Sequence, residues 1–175
     1  LRDLDALAER LAAGRGTPLE RAVVEAMTTN ESFFFRDDKP FVHFRTQALP
    51  RLLGARPPGQ KLRIWSAAAS SGQEAYSLAM ILAECRPQMG GRSVEIVGTD
   101  IAREQLARAQ EGLYTQFEVQ RGLPMQFLVR YFRKDGANWR LNDAIRAMAS
   151  FREWNLLADL RGLGQFDVVF CRNVL

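Results

Sequence analysis

Leu4, Leu7, Ala8 and Leu11 recur at spacings of three and four with charged residues between them, so residues 2–13 predict an amphipathic helix. Beyond Gly14 and Gly16, Thr17-Pro18-Leu19-Glu20 supplies an N-cap, a proline at the first helical position and an acid at the third, which predicts a second helix running to about Met27. The first quarter of the chain carries no strand signal. Phe33, Phe34 and Phe35 then cover more than one face of any helix, so residues 28–36 read as a junction buried between two units. Phe41, Phe44, Ala48 and Leu52 resume helical spacing over residues 37–53, and Arg56-Pro57-Pro58-Gly59 ends it.

The pattern changes at Leu62. Leu62-Arg63-Ile64-Trp65 is a short apolar run suited to a buried strand, the residues to Gly72 form a turn of small side chains, and Ala75, Leu78, Ala79, Leu82 and Ala83 restart the helical period as far as about Cys85. A second strand is expected from Ser93 to Asp100, and a helix over residues 101–111 that Gly112 stops. In residues 113–150 the expectation is of two extended pieces, Phe127 to Arg133 and Ala137 to Leu141, around the turn Lys134-Asp135-Gly136. Phe151 to Trp154 reads as a third strand, and Val168-Val169-Phe170-Cys171-Arg172 as a central parallel strand. Strands alternating with helices imply an α/β fold with a doubly wound sheet, preceded by a small helical domain.

A junction of strand, small-residue loop and helix places its loop at the carboxyl end of a strand, where a ligand can approach backbone N–H groups at a helix start. Gly72 is the loop's only glycine and no lysine follows, so neither a dinucleotide fingerprint nor a P-loop is present. A nucleoside without phosphates, such as S-adenosylmethionine, suits the loop better; an ordinary small-residue turn is the alternative. Asp100, at the end of the second strand, has the position of an acid that holds a ribose, or it caps the following helix.

Composition narrows the chemistry. The 175 residues suit one domain with a small appendage, and no apolar run approaches the roughly 18 residues of a membrane span. The net charge of +4 is scattered over 21 arginines and 3 lysines without a basic run, which disfavours nucleic acid. Cys85 and Cys171, far apart in apolar segments, read as buried free thiols of a reducing compartment. His43 is the only histidine, so no metal site and no histidine-based triad is expected.

Five motifs in order resemble the CheR-type chemotaxis receptor methyltransferases: Thr28-Thr29-Asn30 with Phe34-Phe35-Arg36; Trp65 to Ser77 with its Ala68-Ala69-Ser70-Ser71-Gly72-Gln73-Glu74 centre; Thr99-Asp100-Ile101; Asn155-Leu156-Leu157; and Phe166 to Leu175 with its Cys171-Arg172-Asn173-Val174 core. The resemblance implies a Rossmann-like methyltransferase sheet and an enzyme that moves a methyl group from S-adenosylmethionine to receptor glutamates, leaving S-adenosylhomocysteine. It implies cofactor contacts from Asn30, Ser32, Arg36, Glu74, Asp100, Asn155, Leu156, Asn173 and Val174; Gly72, in the loop, reads as a further cofactor contact, and Arg51, on the substrate side, as the candidate catalytic residue. The implied partner is the cytoplasmic domain of chemotaxis receptors, in the cytoplasm, without nucleic acid or membrane insertion.

The implied division is a helical domain over 1–36, a linker helix and loop over 37–60, and the cofactor-binding domain over 61–175 with a small β insertion at about 125–150. Gln73 and Ala75 stand where the family usually has Glu and Pro, and Ser32 where Thr is common. Family members continue beyond the last motif into a tyrosine-bearing segment, so the sheet is expected to be incomplete at its C-terminal side and these residues alone to be inactive. A non-catalytic cofactor-binding or receptor-docking module, or a methyltransferase of another protein substrate, would keep the same crevice. A DNA or amino-group methyltransferase is disfavoured because Asn173-Val174-Leu175 replaces the usual Asn/Asp-Pro-Pro-Tyr.

Overall fold

The computed structural model describes residues 3–14 and 17–174; Gly16 and Leu175 lie outside that range. Two helices come first. In α1 (Leu4–Ala12) the Asp3 carboxylate accepts the Ala6 N–H at 2.8 Å, and in α2 (Pro18–Met27) Thr17 caps the Glu20 N–H, as the spacing predicts. Both are amphipathic, yet neither buries a residue, and Leu4 and Met27 are each 80% exposed.

The helix expected over residues 37–53 is interrupted. After α3 (Lys39–His43) the chain makes one π turn (Phe44–Ala48) and continues as α4 (Leu49–Ala55). Pro50 explains the change: it has no N–H to donate, and its ring would strike the carbonyl four residues back. The backbone widens ahead of it, and the Leu49 N–H donates to the Phe44 carbonyl five residues earlier. Phe41 and Phe44 place their rings 5.6 and 5.8 Å from Phe170.

The rest runs β1 (Leu62–Ala67), α5 (Gln73–Glu84), β2 (Val94–Asp100), α6 (Arg103–Glu111), β3 (Leu113–Tyr114), α7 (Gln116–Gln120), α8 (Met125–Tyr131), β4 (Phe132–Asp135), β5 (Asn138–Leu141), α9 (Asp143–Arg146), β6 (Ala149–Glu153) and β7 (Val168–Cys171). Four strands form a parallel sheet in the order β6-β2-β1-β7, with Ile64 level with both Ile96 and Val168. The first strand is inside and the chain reverses direction across the sheet between β1 and β7, which is the doubly wound arrangement.

The two-residue period of β1 sorts its side chains between the faces. Leu62 and Ile64 enter the main core with Ile96, Leu78 and Phe170, whereas Trp65 and Ala67 join Leu163 in a smaller cluster flanked by Trp154, Leu156 and Phe166. On β7 the same period turns Phe170 inward and leaves Val169 and Cys171 exposed, so Cys171 is not the buried thiol expected; Cys85 is buried.

Residues 113–150 depart most from expectation. The antiparallel sheet has the order β3-β5-β4, so it begins at Leu113, before residue 125, and ends at Leu141. Residues 143–153 return through α9 to the parallel sheet. The first extended piece is mostly helix: Phe127 and Tyr131, four apart, pack ring on ring at 5.9 Å in α8, and only Phe132 opens β4.

Candidate functional site

Beyond the carboxyl ends of the four parallel strands lies a crevice of about 820 Å³, a size ordinary for a small-molecule site. Ala68 and Ser70 line it from the end of β1, Asp100 and Ile101 from β2, Trp154 to Leu157 from β6, and Cys171 to Val174 from β7. Residues 28–33 and Arg36 form the facing wall.

The strand-tip wall is tied by backbone donors. The Ala69 N–H donates to the Thr99 carbonyl at 2.8 Å, the Ser70 N–H to Asp100 Oδ2 at 2.8 Å, and the Gly72 N–H to the Ala69 carbonyl at 2.9 Å. Three N–H groups of the loop are therefore already engaged within the protein. Asp100 is 8% exposed, and its Oδ1 also accepts the Ala102 N–H at 2.9 Å just ahead of α6. The carboxylate thus fastens two loops together while it lines the crevice, with a second lone pair left on each oxygen.

Gly72 sits below the crevice rather than on its surface. Its φ is +90°, and a Cβ there would come within 2.9 Å of the Ala109 Cβ and 3.1 Å of the Phe151 and Tyr76 rings. Packing at the start of α5, not ligand approach, accounts for the missing side chain.

The facing wall has no regular structure and is pinned by side chains. Phe34 is fully buried, edge-on to Tyr114 at 5.0 Å and to Phe132 at 5.6 Å; Phe35 stacks on Phe127 at 5.2 Å. The Phe35 N–H donates to Ser77 Oγ at 3.0 Å, and Ser77 donates in turn to the Gln73 carbonyl within α5. Among the described residues the non-glycine positive φ values fall at Phe35, Asp37, Asp38, Ala68, Ser70 and Asn173, all on segments that line or flank the crevice. Such conformations cost of order 1–3 kcal/mol each and concentrate where a site must hold a particular shape.

Arg172 joins the two walls. From the tip of β7 its Nη2 donates to the Arg36 carbonyl at 2.7 Å and to Asp37 Oδ2 at 2.6 Å, and its Nη1 reaches Glu74 Oε2 at 3.3 Å. Glu74 Oε1 accepts from Ser66 Oγ at 2.7 Å. Burial raises the Glu74 carboxyl above its ordinary value of 4.5, and the Ser66 hydrogen bond and the Arg172 charge partly offset it.

Of the residues singled out from sequence, Asn30, Ser32, Arg36, Glu74, Asp100, Asn155, Leu156, Asn173 and Val174 come together around this crevice. Arg51 does not: it is exposed on α4 and lines no part of it. His43 is likewise exposed on α3 and outside it. Trp65, Ser70, Trp154 and Arg172 also line the crevice, beyond the site residues the sequence singles out. Ser70 carries a readable signal in the small-residue loop after β1, and Arg172 as a charge ending an apolar central-type strand. Ser70 Oγ and Trp154 Nε1 are buried without a hydrogen-bond partner although both residues line the crevice. Orphaned polar atoms in a crevice lined by three carboxylates, three asparagines and two arginines fit a ligand that is itself both donor and acceptor.

A family model described as the SAM-binding domain of CheR methyltransferases matches residues 30–175. Chemotaxis protein methyltransferase 1 of Pseudomonas aeruginosa is 45% identical over 179 residues, covering 100% of this chain and 65% of its own length. Chemotaxis protein methyltransferase Cher2 of Pseudomonas putida is 41% identical over 179 residues, again with 100% of this chain and 65% of its own length covered. Chemotaxis protein methyltransferase of Vibrio parahaemolyticus is 38% identical over 178 residues, with 100% and 64% covered. The chain thus spans somewhat less than two thirds of the length of these relatives.

Proposed function

The chain belongs to the CheR methyltransferase family, matched through its SAM-binding domain, and from that premise we propose that it methylates glutamate side chains in the cytoplasmic domain of chemotaxis receptors, forming γ-glutamyl methyl esters in the cytoplasm. S-adenosylmethionine is the cofactor of this domain. One observation carries the reading: four strand tips and the Asn30–Arg36 wall meet around a single crevice whose polar groups are of the kinds this cofactor needs. No helix among the described residues is long and apolar enough to cross a membrane.

In this reading Asp100 accepts from the ribose hydroxyls and Glu74 takes a second polar part of the cofactor. Asn155 and Leu156, with Asn173 and Val174, line its adenine and methionine ends, and Arg36 offers a cation from the facing wall. We carry the division into a helical domain over 1–36, a linker over 37–60 and a cofactor-binding domain over 61–175 into the same proposal. When bound, the cofactor supplies a methyl group on a positively charged sulfur, which passes to a carboxylate oxygen and leaves a neutral thioether. An acceptor glutamate, with a pKa of ~4.3, is already ionised at neutral pH, so no side chain has to remove a proton. What the protein contributes is alignment, which is worth roughly 7–11 kcal/mol of a barrier when two reactants are held in line. The absence of histidine from the crevice is consistent with that chemistry.

The test is incubation of the full-length protein with methyl-labelled cofactor and receptor. Label that base releases as methanol is expected. Base-stable label, or none, would overturn the glutamate ester reading.

A further inference from the structure

Glu31 stands at the rim of the crevice with two arginines converging on it. Its Oε1 accepts from Arg121 Nη2 at 2.5 Å, and its Oε2 lies 3.7 Å from Arg36 Nη2. Arg36 Nη1 also donates to the Glu31 carbonyl at 2.5 Å. Both guanidinium groups rest on the Phe33 ring, their carbons 4.3 Å (Arg121) and 5.5 Å (Arg36) from its centroid. Hydrogen bonding by Arg121, and then the charges of Arg121 and Arg36, hold the Glu31 carboxyl below its ordinary value.

Arg121 is held in place by its neighbour. Gly122 has φ +80°, and a Cβ there would collide with the Phe34 carbonyl and come within 3.1 Å of the Phe33 ring. The loop between α7 and α8 therefore presses on the Phe33-Phe34 backbone more closely than any side chain at 122 permits. Two cations and an aromatic ring are fixed around a single carboxylate.

We propose that Arg36 and Arg121 form a carboxylate-gripping pair that orients the acceptor glutamate, and that Glu31 occupies the pair until that glutamate arrives. The inference rests on the glutamate-methylating function proposed above. The cofactor also carries a carboxylate, but the positions of the two arginines separate the sources. Arg36 lines the crevice and Arg121 does not, so a ligand filling the crevice meets Arg36, whereas a polypeptide approaching from outside meets Arg121 as well. Glu31 is exchangeable: its side chain is 49% exposed, and ion pairs this exposed add little to stability, so replacing one carboxylate by another is nearly neutral. A forked guanidinium suits that exchange because it can take two carboxylate oxygens at once.

The experiment uses the full-length protein and receptor cytoplasmic domains carrying either glutamate or glutamine at the acceptor positions. Arg121→Gln should raise KM for the receptor by roughly tenfold or more, as expected when a hydrogen bond to a charged group is lost. Cofactor affinity by calorimetry and thermal midpoint should be unchanged, and Arg121→Lys should recover part of the loss. Wild-type protein should bind the glutamate form more tightly than the glutamine form, and Arg121→Gln should narrow that preference, with Arg36 left as the remaining cation. An unchanged KM, a preference for glutamate that is undiminished in Arg121→Gln, or a loss of cofactor affinity equal to the loss for receptor would each overturn the inference. Should Arg121→Gln fail to fold, the preference for glutamate over glutamine in Arg121→Lys is the deciding measurement, and an undiminished preference overturns the inference. Failure of wild type to form base-labile esters strikes the proposed function itself; normal ester formation with an indifferent Arg121 strikes only this step.

Discussion

On one side of the crevice Ala69, Ser70 and Gly72 give their N–H groups to the Thr99 carbonyl, the Asp100 carboxylate and the Ala69 carbonyl, beside a parallel sheet. On the other, Phe34 and Phe35 sink their rings among Tyr114, Phe132 and Phe127, while Asn30 and Glu31 stay exposed. The strand-tip wall takes its shape from main-chain hydrogen bonds that every strand–loop–helix unit of this kind must satisfy somewhere. The facing wall takes its shape from two aromatic plugs and from Arg172, with little backbone hydrogen bonding of its own. A site so divided has one wall held by the backbone at the strand tips and one held by buried side chains. The second wall carries Asn30, Ser32 and Arg36.

The comparison is broken most directly at Phe34. Phe34→Ala should cost about 3–5 kcal/mol of stability, the range for deleting a large buried aromatic, since its ring has no exposed surface and two edge-on partners. Chemical denaturation of the full-length protein measures it. A loss below about 1 kcal/mol would mean that backbone contacts hold the facing wall after all.

Asp100 is the corresponding test of the strand-tip wall, with a smaller expected effect. Asp100→Ala removes two charge-assisted hydrogen bonds from the Ser70 and Ala102 N–H groups, and each such bond is worth roughly 1.5–3 kcal/mol where nothing replaces it. Water entering the space left by the carboxylate restores part of this, so the net loss should fall near one bond's value. Calorimetry should show weaker cofactor binding in the same variant. Intact affinity with reduced stability would leave Asp100 as a loop fastener only.

The same division governs what could be read before the structure. The strand-tip wall was legible because its cause is local: an apolar run, small residues, then a helical period place Ser70 and Asp100 at strand ends whatever else the chain does. The facing wall was legible only through resemblance, since three consecutive phenylalanines have no periodicity that says which ring is buried. Phe34 is buried by contact with Tyr114 and Phe132, some 80 to 98 residues away along the chain, and no local pattern encodes that. Residues 127–133 misled for a related reason. Phe127, Leu128, Tyr131 and Phe132 satisfy a helical face as well as an extended run, and α8 and β4 share them. Arg51 differs again: its position in the sequence said nothing of which way α4 would turn it, and it is exposed outside the crevice.

The smallest expected effect lies where the walls meet, at Glu74, and it is a slope rather than a level. Burial raises the Glu74 carboxyl above its ordinary 4.5, although Ser66 and Arg172 pull it back. A carboxyl whose folded value is raised binds its proton more tightly in the native state than in the unfolded chain. Its stabilising contribution is fully present below the unfolded value and is lost as pH rises through the folded value. Glu74→Gln cannot titrate, so the stability of wild type relative to this variant should be greatest under acid conditions. It should fall across the window just above 4.5 and be flat at neutral pH, read from denaturant titrations at a series of pH values. If Glu74 also holds a cationic part of the cofactor, wild-type affinity should rise with pH across that same window, because ionisation prepares the acceptor. Affinity in Glu74→Gln should not change there. A relative stability that instead rises with pH would mean that Arg172 outweighs burial. Glu74 would then be an ordinary ion-pair partner tying β7 to α5, and the meeting point of the two walls would be structural rather than part of the binding surface.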